Sequence, residues 1–121
     1  METKDEIPLE DHRYFRARLN HLESQHPAAL LIHLESGTLT DHLREVTARA
    51  MQASAELTIN RNLPQDLADE LVMNQIVADP REQSRLVDPS QMMRLRSLLD
   101  HYQAAAARLP RTYLSERETI E

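Results

Sequence analysis

Thr38–Leu57 reads TLTDHLREVTARAMQASAEL, and its apolar positions decide the fold. Leu39, Leu43, Val46, Ala50, Ala53 and Leu57 recur at alternating steps of four and three, which lines them along one face of a helix roughly five turns long. The spacing predicts a central helix over 38–58, and a single apolar stripe of that length needs other helices to cover it. The expected fold is therefore all-α, a bundle of four to five helices around this long one.

The flanking sequence supplies those helices. Upstream, Phe15, Leu19 and Leu22 give a helix over about 9–25, with Arg13, Arg16 and Arg18 on neighbouring or opposite faces; Pro27 ends it, since the residue before proline is pushed out of helical geometry. Pro27 also suits the first position of the next helix, PAALLIHLES, which is apolar nearly all round and should be the most buried element. Gly37, the one glycine in the chain, falls where that helix needs a left-handed terminator. Downstream, Pro64 opens a helix with Leu67, Ala68, Leu71, Val72 and Ile76 facing inward and acids in its first turns, and Asp79-Pro80 stops it. Asp88-Pro89 is a cap followed by proline and starts a last helix to about Leu109, with the stripe Met92, Leu95, Leu99, Tyr102, Ala106 and Leu109. The two long stripes are expected to pack within one bundle.

Composition agrees. One glycine and four Phe or Tyr rings in 121 residues leave too little turn and β-branched material for a sheet protein, and no aromatic surface on which bases could stack. The absence of cysteine excludes disulfides and thiolate chemistry. No signal-peptide core is present and no apolar run approaches the ~20 residues needed to span a bilayer, so a soluble, cytoplasmic protein is expected. The net charge of −6 is concentrated at the two ends: residues 1–11 and 116–121 hold eight of the 20 acids and two of the 14 bases, leaving twelve of each between them. The expected organisation is a flexible acidic segment over 1–8, one helical domain over 9–110 and a tail over 111–121.

Chemistry is sparse in the sequence. Glu23-x-x-His26 has a spacing used by di-iron helical bundles, but it occurs once and ends against Pro27. His42 with Asp41 and Glu45 reads as helix capping, and Asp100-His101 stands alone. No nucleophile elbow, phosphate loop or HExxH pattern is present. The chain is thus expected to be no enzyme, to hold no metal or cofactor, and to use its histidines at surfaces and helix ends.

The most basic stretch, Arg94, Arg96, Arg108 and Arg111, provides the candidate partner-binding residues. A protein partner is expected, a second copy of the chain being one form of it. Nucleic-acid regulation through the same arginines is the alternative, as is inhibition of a host defence complex.

His26-Pro27, Ser36-Gly37-Thr38-Leu39 with the following His42-Leu43 and Val46, and Ala68-Asp69-Glu70-Leu71-Val72 together resemble the TnpV-type small proteins encoded on bacterial transposons, over about residues 26–77. The resemblance implies an accessory protein of a mobile genetic element, from a family without an established activity, and supplies no catalytic residues.

Overall fold

The helical periodicities become helices. A computed structural model describes residues 7–82, 85 and 87–112, and among them five α-helices and no strand are found. They are α1 (Arg13–Gln25), α2 (Pro27–Ser36), α3 (Leu39–Ala55), α4 (Gln65–Val72) and α5 (Pro89–Ala105). A 3-10 turn at Leu9–Asp11 precedes α1, π-helical turns at Glu56–Asn60 and Met73–Val77 prolong α3 and α4, and a second 3-10 turn, Ala106–Arg108, follows α5. None of the helices is long and apolar enough to cross a membrane.

The central helix organises two apolar clusters, one at each end. Leu39 and Leu43 at its start join Phe15 and Leu22 of α1, Leu30 and Leu31 of α2, and Leu95 and Leu99 of α5. Ala50, further along, joins Tyr14, Val72 and Val77, with Ala53 and Leu57 packed alongside. Among buried residues, the 39–57 and 92–109 stripes share a cluster only through Leu39 and Leu43 on one side and Leu95 and Leu99 on the other, and α5 packs mainly on α2 rather than along α3. α1 serves both clusters, through Phe15 and Leu22 on one side and Tyr14 on the other.

The terminators behave as their chemistry requires. Gly37 adopts φ 73°, and its backbone N–H closes α2 on the carbonyl of His33. Asp88 accepts from the backbone N–H of Gln91 at 2.8 Å while the Gln91 side chain accepts from the backbone N–H of Asp88 at 3.0 Å, a complete capping box ahead of Pro89. Thr38 occupies the N-cap of α3 without capping it; its hydroxyl lies 2.8 Å from Nδ1 of His33 instead.

Several expectations are corrected. The first helix does not begin at residue 9, because His12 is extended and its ring nitrogen accepts from the backbone N–H of Tyr14, capping a helix that starts at Arg13. The central helix, expected to fray from Thr58 to Asn62, instead continues as the wider π-turn to Asn60, and Asn62 makes the bend with φ 58°. α2 is not buried all round: Leu30 and Leu31 face the core while Ile32 is 59 % exposed. Leu67 likewise points outward from α4. Glu10, grouped by sequence with the acidic N-terminus, is buried; it accepts from Arg44 and from the backbone N–H of Thr112, and Leu9 donates its own N–H to the carbonyl of Thr112. These bonds fasten the two ends of the described chain to α3. Residues 1–6 and 113–121, which include most of the acidic segment and most of the tail, lie outside the described residues.

Candidate functional site

Arg18 and His21 are three residues apart on α1 and so share a face. That face is covered by the start of α3 and by the turn Asp79–Glu82, where Asp-Pro opens a bend and the backbone N–H of Glu82 donates to the carbonyl of Asp79 at 3.2 Å. Arg18, expected on a face neighbouring or opposite the apolar stripe, is 3 % exposed. Four of its five guanidinium N–H groups are used: Nη1 donates to the carbonyl of Val77 at 2.7 Å and to Oε1 of Glu82 at 2.8 Å, Nη2 donates to Oε2 of Glu82 at 2.5 Å, and Nε donates to Nε2 of His42 at 3.2 Å. The fork-to-fork pairing is the strong form of an Arg–carboxylate bond.

Four histidines surround this pair. His26 ends α1 and leads into α2, its N–H bonded to the carbonyl of Leu22 and its own carbonyl accepting from Leu30. That double role places its ring against His21, with centroids 4.9 Å apart and edge to face. Nε2 of His21 lies 3.9 Å from Oε1 of Glu82, and Nε2 of His26 lies 3.7 Å from the same oxygen. One donor atom from each of the three residues falls within 4.8 Å of the others. On the far side of Arg18, the rings of His42 and His33 stack at 4.5 Å.

The electrostatics follow from burial beside a permanent cation. Hydrogen bonding by Arg18 holds the Glu82 carboxyl below its ordinary range despite partial burial. Burial, reinforced by Arg18, drives His42 down to about 4. Burial lowers His21, helped by His26 and Arg18, and also lowers His33. The cluster therefore sets an ionised carboxylate beside His21, whose charged form burial disfavours, and beside the ring of His26, and these nitrogen and oxygen donors are a set suited to a metal ion. The Nε2 atom of His21 is buried and has no hydrogen-bond partner among the described residues.

The sequence-derived candidates are dispersed. Arg94 pairs with Glu35, and Arg111 donates to the carbonyl of Leu109 and approaches Asp11 at 3.5 Å. Arg96 and Arg108 are exposed. Arg94 and Arg96 lie in the first half of α5, whereas Arg108 ends the 3-10 turn after it and Arg111 lies beyond that turn. Glu23 does not join His26; it borders a groove between α1 and α5. His42 turns inward, whereas Asp41 and Glu45 remain at the surface. The exposed His101 caps nothing remote, its ring nitrogen lying 3.0 Å from the carbonyl of Ser97 one turn back.

Sequence reasoning missed the cluster because its members come from distant places. His21 and His26 are five apart with a helix end between them, which is no helical ligand spacing, and Glu82 is supplied by a turn more than fifty residues away. The available signal was Arg18, lying three or four residues from Tyr14, Phe15 and Leu22 and hence beside their buried faces.

A second feature lies along α5. Because α5 packs chiefly on α2, a groove separates it from α1. It holds cavities of about 380 Å³, lined by Phe15, Leu19, Tyr102 and Leu109, and about 230 Å³, lined by Met92, Leu95 and Leu99; Gln103 borders both. No protein-family model, curated protein or solved structure matches the chain.

Proposed function

We propose that the chain is a non-enzymatic accessory module that acts by taking an amphipathic helix of a partner protein into the groove between α1 and α5. The observation that carries this reading is an apolar floor rimmed by uncommitted charges of both signs. Phe15, Leu19, Leu95, Leu99 and Tyr102 form the floor. Arg16, Glu23, Arg96 and Asp100 form the rim, and none of them makes an ion pair among the described residues. A helix with an apolar stripe flanked by opposite charges is complementary to such a groove. From Met92 to Leu109 the wall offers about 25 Å, the length of a helix of about 16 residues. Met92, exposed at one end, adds an adaptable contact.

The resemblance of residues 26–77 to TnpV-type proteins supports an accessory role on a mobile element, and the lack of cysteine agrees with work in the cytoplasm. Nucleic-acid binding has less support, since Arg94 and Arg111 already face Glu35 and Asp11.

The test is a photo-crosslinking residue in place of Gln103, at the centre of the groove, in the full chain expressed in its native host. The expected product is a single adduct whose crosslinked peptide is an amphipathic helix, abolished by Leu19→Glu and by Arg96→Glu. Adducts equal to those from the same probe at the remote, exposed Glu45 would reject the groove, and a self-adduct would replace the foreign helix by a second copy.

A further inference from the structure

We infer that His21, His26 and Glu82 form a binding site for one divalent transition-metal ion of the zinc class. Two imidazoles and a carboxylate are a common three-ligand set for such an ion, with water in the fourth position. The donors already converge: Glu82 Oε1 is 3.7 Å from one imidazole nitrogen and 3.9 Å from the other, and no separation in the trio exceeds 4.8 Å. Ligands at about 2.0–2.1 Å from a tetrahedral ion stand about 3.4 Å apart, so closing on an ion moves any pair by about 1.5 Å at most. Side-chain rotations of that size need no backbone change.

Three further observations favour a ligand over a purely structural cluster. His21 brings to the trio a buried nitrogen with no hydrogen-bond partner among the described residues, an arrangement that costs stability unless something binds it. Glu82 spends one lone pair of each oxygen on Arg18 and keeps the others, and Oε1 is the oxygen nearest both imidazoles. Arg18 thereby acts as the outer partner that orients a ligating carboxylate, the part that a hydrogen bond behind a ligand usually plays. Glu82 and His21 are partly exposed while His26 is buried, which leaves a solvent-facing side for entry and for the fourth ligand. The mixed nitrogen and oxygen donors select zinc-like ions over magnesium and calcium, which take oxygen. The nearby guanidinium opposes a second positive charge and keeps the site from being among the tightest.

A cluster that served only to pin the Asp79–Glu82 turn to α1 would bind no metal, and that separates the two readings. The experiment is calorimetric titration of the full, chelator-treated chain with zinc sulfate at neutral pH, with magnesium sulfate as the comparison. One zinc per chain is expected, with no response to magnesium. His21→Ala and Glu82→Gln should each weaken zinc binding about tenfold or more, and His101→Ala should leave it unchanged. Nε2 of His21 makes no hydrogen bond among the described residues, so the circular dichroism of His21→Ala should match that of the parent and any loss of binding belongs to the site. Absence of saturable binding, equal affinity in His21→Ala, or loss on His101→Ala would each overturn the assignment.

Discussion

Arg18 is the residue on which the buried polar chemistry depends, and its burial explains why helical periodicity alone did not reveal it. A stripe at 15, 19 and 22 tells which face of α1 is apolar, but not that a turn from residues 79–82 will cover the neighbouring face. Removing Arg18 leaves a carboxylate and the Val77 carbonyl without their donors, so Arg18→Ala should cost about 3 kcal/mol or more in denaturant unfolding. Arg13, half exposed in its pair with Asp69, should cost about 1 kcal/mol or less when changed to Ala. The histidines add a pH dependence. His42, against Arg18 and the His33 ring, is held neutral down to about 4, below its ordinary value of 6.5. Between these two values the unfolded chain binds more protons than the folded one, so stability is lost as the pH is lowered across that window. Glu10, Glu82 and Asp69, whose folded values are also depressed, extend the loss below the ordinary carboxylate range. Urea midpoints of chelator-treated protein should therefore decline steadily from pH 7 to pH 4, and His42→Gln should flatten the upper part of that decline.

Individual elements were the most legible level, because caps and breakers act through backbone geometry that neighbouring residues alone can set. Gly37 and the Asp88-Pro89 start are where the sequence puts them. Asp88→Ala dismantles the capping box and should lower the urea midpoint with an unchanged slope. Gly37→Ala meets no atom within 4 Å, so its expected cost, also about 1 kcal/mol, is that of forcing a side-chain-bearing residue to φ 73°. The π-turns after α3 and α4 were not legible, since the same residues satisfy either helical ladder and tertiary packing chooses between them. The outward turn of Ile32 and Leu67 has the same origin: an apolar residue shows only that burial is possible, and the number of covering helices decides whether it happens.

For the whole molecule, the 39–57 stripe was sufficient to predict a bundle, but not its division into two clusters spanned by α1. Leu22→Ala, in the cluster shared by four helices, should cost about 3 kcal/mol, whereas Leu67→Ala at the surface should be close to neutral. The candidate site was illegible for a related reason. Its three donors come from α1, the α1–α2 junction and a turn beyond α4, so only the assembled fold makes them neighbours. The groove lies on another side of α1, lined by Phe15 and Leu19 rather than by Arg18 and His21, and so the two proposals can fail independently. The measurement that tests the metal site most directly is zinc-edge X-ray absorption on the one-to-one zinc complex. The structure predicts a first shell of nitrogen and oxygen at about 2.0–2.1 Å with the scattering signature of two imidazoles, falling to one in His21→Ala. A shell of oxygens alone, or an identical spectrum from the variant, would contradict it.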